Sequence, residues 1–205
     1  MKFEDVLTEY KNIYENILSG IYPAKNSTGF PERNLSVNFS KAYEKKARQN
    51  KEEAYTWFEF QFGSKNNKHL DAVIINDKAK NVIFIESKRY SNPKNKKAYI
   101  IKDIQRIYDF LPEFQKRIHK SGYTYYGIIL ADVWNEDSSK EEILNFYIKH
   151  KNATKQDVIG FLKTDAESLS YLPDTIHLDA KNVNIPGNKS YNLVSMWWQI
   201  PPKKS

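Results

Sequence analysis

Asp71 and the triplet Glu86-Ser87-Lys88 are the residue types in this chain best suited to chemistry. They sit in two apolar runs joined by a short polar link, Asp77-Lys78-Ala79-Lys80. If Lys78 and Ala79 form the tip of a hairpin, Asp77 faces Lys80, and counting back along both strands sets Asp71 opposite Glu86. Directly opposed residues share a face, with Cβ atoms about 4.5–5.5 Å apart. Lys88 is two residues beyond Glu86 and so shares that face. Two acids held so closely repel unless a cation compensates. Oxygen ligands at this spacing suit Mg²⁺ or Mn²⁺, and the lysine ammonium would stand within reach of a phosphate oxygen or of water. The plainer reading is a salt bridge between Lys88 and either acid on a sheet surface. Against it, Glu86 ends Asn81-Val82-Ile83-Phe84-Ile85, which reads as a buried strand. A charge there is costly without a partner or a function.

These residues need a sheet with helices packed on it. Thr56 to Phe62 alternates, with Phe58, Phe60 and Phe62 set against Trp57, Glu59 and Gln61, which predicts a strand. Residues 63–68 form a polar turn, and strands follow over His69–Ile75 and Val82–Arg89. Upstream, Val6, Tyr10, Ile13 and Ile17 predict an amphipathic helix over 3–18, and Gly20 stops it. Residues 20–33, with Pro23, Gly29 and Pro31, read as a loop, and 35–50 as a second helix. Downstream, Tyr90–Lys97 reads as a basic loop containing Pro93. A helix over Ala98–Leu111 follows, kinked or restarted at Pro112. Tyr123–Val133 is too apolar for an edge strand and should be buried on both faces. A strand, a helix and a strand in that order imply a parallel pair joined by a right-handed crossover. Residues 139–150 read as a helix and 191–200 as a strand. The expected class is α/β, an α+β mixed sheet with flanking helices. One domain is expected over 1–205, with its core at about 35–133, an N-terminal helix and C-terminal additions.

Asp71 followed by Glu86-Ser87-Lys88 on the next strand, within the order helix, three-strand meander, helix, strand, resembles the PD-(D/E)XK nuclease superfamily. It resembles also the restriction-endonuclease-like fold of that superfamily, over roughly residues 35–133. The chain departs from the signature in reading His69-Leu70-Asp71, with no proline before the first acid. The resemblance implies a Mg²⁺- or Mn²⁺-dependent phosphodiesterase, a hydrolase that cuts nucleic acid, with DNA the expected substrate. It implies that Asp71 and Glu86 bind the metal and that the Ser87 carbonyl helps. It implies a further acid on the helix before the meander, here Glu44, with Glu52, Glu53 and Glu59 as rivals. Lys88 would orient the attacking water, assist its deprotonation and steady the charge that builds on phosphorus. Some members carry a functional glutamine or basic residue on the next helix, which here points to Gln105.

Arg89, Lys94, Lys96, Lys97, Lys102 and Arg106 flank this candidate site and could bind phosphates, or equally form a solvated face. His69, two residues before Asp71, falls on the same face by alternation, although a surface histidine needs no function. Trp197 and Trp198 are adjacent on a strand and must face opposite ways, one to the core and the other free to stack on a base. The 205 residues carry a net charge of +7, which favours a polyanionic partner, and a lysine-rich solvated surface has the same signature. The absence of cysteine excludes disulfides, thiolate zinc sites and cysteine nucleophiles. The opening MKFEDVLTEY places acids where a signal peptide would turn apolar, and no stretch is long enough to span a bilayer. A cytoplasmic protein without a membrane partner is therefore expected. A homodimer is expected if both strands of a duplex are cut. Two other readings fit the same residues: a non-cleaving nucleic-acid- or protein-binding module on the same fold, and a small interaction protein whose acids and lysine form surface ion pairs.

Overall fold

The computed structural model describes residues 1–20, 31–61, 69–90, 93–118, 122–135, 138–184 and 190–201. The expected turn at 63–68 lies outside them, as does most of the loop at 20–33. The chain opens with two helices, α1 (Phe3–Gly20) and α2 (Arg33–Gln49). A meander follows: β1 (Ala54–Gln61), β2 (His69–Asn76) and β3 (Asn81–Arg89). The order continues α3 (Pro93–Ile118), β4 (Thr124–Asn135), α4 (Ser138–Lys149), β5 (Asn152–Ala153), α5 (Lys155–Leu162), β6 (Ile176–Val183) and β7 (Ser190–Ile200). The seven strands make one mixed sheet in the order β1-β2-β3-β4-β7-β6-β5. All neighbours run antiparallel except β3 and β4, which α3 joins as a parallel pair.

Alternation along the strands sends apolar side chains to both sides, so helices must cover both. Val73, Ile75, Val82, Phe84, Ile129 and Met196 pack with Ile100, Ile104, Ile107 and Phe114 of α3, and with residues of α4 and α5. Ala72, Ile74, Ile83, Ile85, Ile128 and Leu130 pack with Val6, Tyr10, Tyr14 and Leu18 of α1 and with Leu35, Phe39 and Tyr43 of α2. The result is an α/β protein with a mixed sheet between two helical layers. β4 is central, as its apolar sequence requires. Trp198 is buried in the α3 layer and Trp197 packs on the α1 layer, so the two tryptophans do part across the sheet.

Two expectations need correction. The basic loop ends early: Pro93 begins α3, so residues 93–97 form its first turn. Proline suits that position because its φ is already helical and no backbone N–H is needed there. The helix also continues through Pro112 to Ile118.

The β2–β3 turn sets the register on which the site depends. Asn76 pairs with Asn81, and the Asn76 side-chain carbonyl accepts the Ala79 amide at 2.9 Å. Lys80 closes the turn in the left-handed conformation, φ 55°. Pairing then runs from Asn76 with Asn81 to Ala72 with Ile85 and stops. Asp71 would face Glu86 one step further on, in the register expected from the sequence, but the two strands part there.

Candidate active site

The strands part at Asp71 for a local reason. β1 pairs with β2 through Phe58–Ala72 and Phe60–Leu70, and the step between them, Glu59 against Asp71, is missing. Two opposed carboxylates repel. Glu59 takes φ 51°, an uncommon conformation for a residue with a Cβ, and its carboxylate turns to His69 Nε2 at 3.0 Å. Asp71 is thus out of the ladder on both sides. Its Oδ2 accepts the Ser87 amide of β3 at 2.7 Å, replacing the ladder bond that the open strands no longer make.

The far end of β3, from Glu86 to Arg89, pairs only with β4. Glu86 and Lys88 face α3, where Asp103 and Arg106 meet them. Glu86 is fully buried; its Oε1 lies 2.8 Å from Arg106 Nη1, and its Oε2 has no hydrogen-bond partner among the described residues. Lys88 Nζ lies 3.0 Å from Asp103 Oδ2 and donates to the Ser87 carbonyl at 3.1 Å. Arg106 Nη1 also lies 3.1 Å from Asp103 Oδ1. Three carboxyls, Asp71, Glu86 and Asp103, therefore share two cations, Lys88 and Arg106.

The electrostatics follow from that shortage. Burial pushes the Glu86 carboxyl well above its ordinary pKa, and the charges of Asp71 and Asp103 push it further, against Arg106. Burial also raises Asp71, although the Ser87 amide and Lys88 oppose it, and the charges of Glu59 and Glu32 add to the rise. Asp103 is raised by burial against the pull of Lys88 and Arg106. Burial works against the Lys88 ammonium too, but the surrounding carboxylates outweigh it and hold its pKa above the ordinary value. The cluster thus favours any additional positive charge. Among the described residues, no three His, Asp or Glu side chains converge as a ready-made metal site. What suits a cation is the pair of acids at the opening, with the unpartnered Glu86 Oε2 the atom that most needs one.

Of the residues expected from the sequence, Asp71, Glu86, Ser87 and Lys88 come together, and Arg106 joins them. Ser87 contributes its amide to Asp71 and its carbonyl to Lys88. Glu44 does not join them. Its Oε1 accepts Thr56 Oγ1 at 2.6 Å, and Thr56 pairs with Ile74, three residues along β2 from Asp71. The acid that α2 presents to this region is Glu32, at the start of the helix. Its side chain does not cap the helix; it accepts the Arg89 amide at 2.9 Å, and its charge is felt at Asp71. His69 is engaged by Glu59. Gln105 is turned about 100° around the helix from Arg106, and it reaches the Ser168 carbonyl instead, at 3.4 Å. Lys102 is exposed, with its ammonium 5.7 Å from the centre of the Tyr99 ring. Lys94 lies in the first turn of α3. Lys97 turns to Glu142 at 3.2 Å and to the Phe161 ring. Arg89 is half-buried, and its charge acts on Asp132 across the β3–β4 pair.

Asp103 had a signal in the sequence. It falls in the stripe Ile100, Asp103, Ile104, Ile107, an acid in the buried face of an amphipathic helix. Glu32 had little beyond being an acid ahead of a helix.

The class that the chain and its sheet define is α/β with a mixed seven-stranded sheet between helices. No protein family, no curated protein and no solved structure matches the chain. Among the described residues, no helix is long and apolar enough to cross a membrane. The functional reading therefore rests on the site alone.

Proposed function

We propose that this chain is a divalent-metal-dependent phosphodiesterase that hydrolyses nucleic acid, with DNA the expected substrate, through Asp71, Glu86 and Lys88. One observation carries the reading: Glu86 is fully buried with an oxygen that no described residue satisfies, beside Asp71 at a point where the β2–β3 pairing has stopped. A buried carboxylate left so is expensive, and a divalent ion in that opening would repay the cost. Mg²⁺ or Mn²⁺ held by the two acids would make water more acidic and polarise the phosphate.

The residues divide the remaining work. The Ser87 amide fixes Asp71 Oδ2, and Oδ1 would be the oxygen that binds the ion. Asp103 and the Ser87 carbonyl hold the Lys88 ammonium on the same face, where it would orient water and bind a phosphate oxygen. Lys102, exposed on α3, would bind a neighbouring phosphate, and the net charge of +7 would draw in the polyanion. On this geometry the acid from α2 is Glu32 rather than Glu44. We place the protein in the cytoplasm. Cutting both strands of a duplex would call for two copies of the chain.

The test is incubation with supercoiled plasmid, linear duplex and single-stranded DNA, with Mg²⁺ or Mn²⁺ against EDTA. Cutting that needs the metal and disappears in Asp71→Asn and Lys88→Met is expected. A non-cleaving module on the same fold is favoured by one observation: resident cations already occupy Glu86 Oε1, Asp103 and the Ser87 carbonyl. Binding without cutting in either metal would establish that reading instead.

A further inference from the structure

The two cations of the cluster are held differently. Lys88 is 15% exposed and grips both Asp103 and the Ser87 carbonyl at the end of its own strand. Arg106 is 29% exposed, and its guanidinium reaches inward from α3 to Glu86, which has no exposure at all. The acid is fixed in the core, and its partner stands at the rim with a route to solvent. An ion bound to Glu86 Oε2 and Asp71 would stand beside a guanidinium held 2.8 Å from Oε1 of the same carboxylate. The two positive charges would repel and would divide the pull of that carboxylate between them.

We infer that Arg106 is an exchangeable resident cation: it neutralises Glu86 in the metal-free chain, yields the carboxylate to the divalent ion, and moves outward to a phosphate of the nucleic acid. The inference rests on the nuclease reading above. Arginine suits both stations, because its planar fork pairs as well with a phosphate as with a carboxylate, and its charge is permanent. Asp103 loses Arg106 in the exchange but keeps Lys88, so the lysine stays placed while the arginine travels. Metal and nucleic acid thereby assist each other. The ion releases the arginine that the phosphate needs, and the phosphate withdraws the arginine that competes with the ion. Linkage makes that assistance equal in both directions.

Mn²⁺ binding, read from the paramagnetic resonance of the free ion, tests this without any cleavage. Wild type and Arg106→Gln are titrated with Mn²⁺, alone and with a phosphorothioate oligonucleotide that resists hydrolysis. Without oligonucleotide, Arg106→Gln binds Mn²⁺ more tightly than wild type, by about fivefold or more if the coupling is of ordinary size. The oligonucleotide tightens wild-type Mn²⁺ binding by a similar factor and leaves the variant unchanged. The expected result is a gain, which a misfolded variant cannot imitate. Binding that Glu86→Gln abolishes but that Arg106→Gln weakens or leaves alone overturns the exchange and spares the site. If Glu86→Gln and Asp71→Asn leave Mn²⁺ binding untouched, or wild type binds none even with oligonucleotide, the site reading fails and the exchange fails with it.

Discussion

Replacing Asp132 by asparagine should make the protein more stable at neutral pH, by an amount that grows with pH. Asp132 lies in β4, one strand from Arg89, and is buried. Its Oδ2 accepts the Tyr191 hydroxyl at 3.2 Å, and its Oδ1 has no partner among the described residues. Burial raises its pKa from 3.8 to about 6; Arg89 and Tyr191 oppose the rise, and the charge of Glu32 adds to it. A carboxyl raised in the folded state contributes stability that is complete below pH 3.8 and is lost as pH climbs through 6. The gap is roughly two units at about 1.4 kcal/mol each, so the loss is about 3 kcal/mol. Asparagine keeps an oxygen for Tyr191 and does not titrate. Urea unfolding followed by tryptophan fluorescence, at a series of pH values in EDTA, gives the variant's stability relative to wild type. That difference should rise by about 3 kcal/mol across the window, most of it between about pH 4 and 7. Any fixed cost of the substitution shifts the curve without changing its rise. A difference that is flat with pH, or that falls, would mean that burial does not raise the Asp132 carboxyl in the folded protein.

Other consequences are sharper at the site. Glu86→Gln should raise the unfolding midpoint at pH 8 in EDTA while abolishing cleavage. The sign is the same as for Asp132, because a raised carboxyl costs most where it is ionised. Mg²⁺ at about a hundred times its dissociation constant should stabilise wild type by about 2.7 kcal/mol in thermal melts and leave Glu86→Gln unmoved. Glu44→Ala should cut nucleic acid at close to the wild-type rate, since its carboxylate serves Thr56, whereas Glu32→Ala should cut more slowly. Gly127→Ala should cost about 1–3 kcal/mol by urea unfolding. A Cβ there would stand 2.6 Å from Cε2 of Trp198, which is fully buried and has nowhere to move.

The parts of this fold that were legible in the sequence are those where one periodicity dominates. The meander, its hairpin register and the buried central strand follow from alternating or continuous apolar runs. The opening at Asp71 was not legible, because it arises from repulsion between Glu59 and Asp71 across two strands, a contact that exists only once β1 and β2 pair. The same distortion moves His69 to Glu59, where simple alternation would set it beside Asp71. Glu44 failed for a related reason: its place on α2 is fixed by which turn of the helix crosses Thr56, and helix periodicity alone does not give that. α5 carried a signal that went unused, since Thr154 and Asp157 form a reciprocal cap at its start. β6, with polar residues at half its positions, is a strand because β7 lies beside it, and only tertiary pairing makes it one.

Diffraction from crystals grown with Mn²⁺ and a hydrolysis-resistant oligonucleotide, collected for the anomalous signal of manganese, addresses the claim that Asp71 and Glu86 hold a divalent ion. The expected result is a manganese peak coordinated by one oxygen from each acid, with the Arg106 guanidinium withdrawn from Glu86 and set on a phosphate. Saturating Mn²⁺ with no peak between those carboxylates, and Arg106 still paired to Glu86, would contradict it.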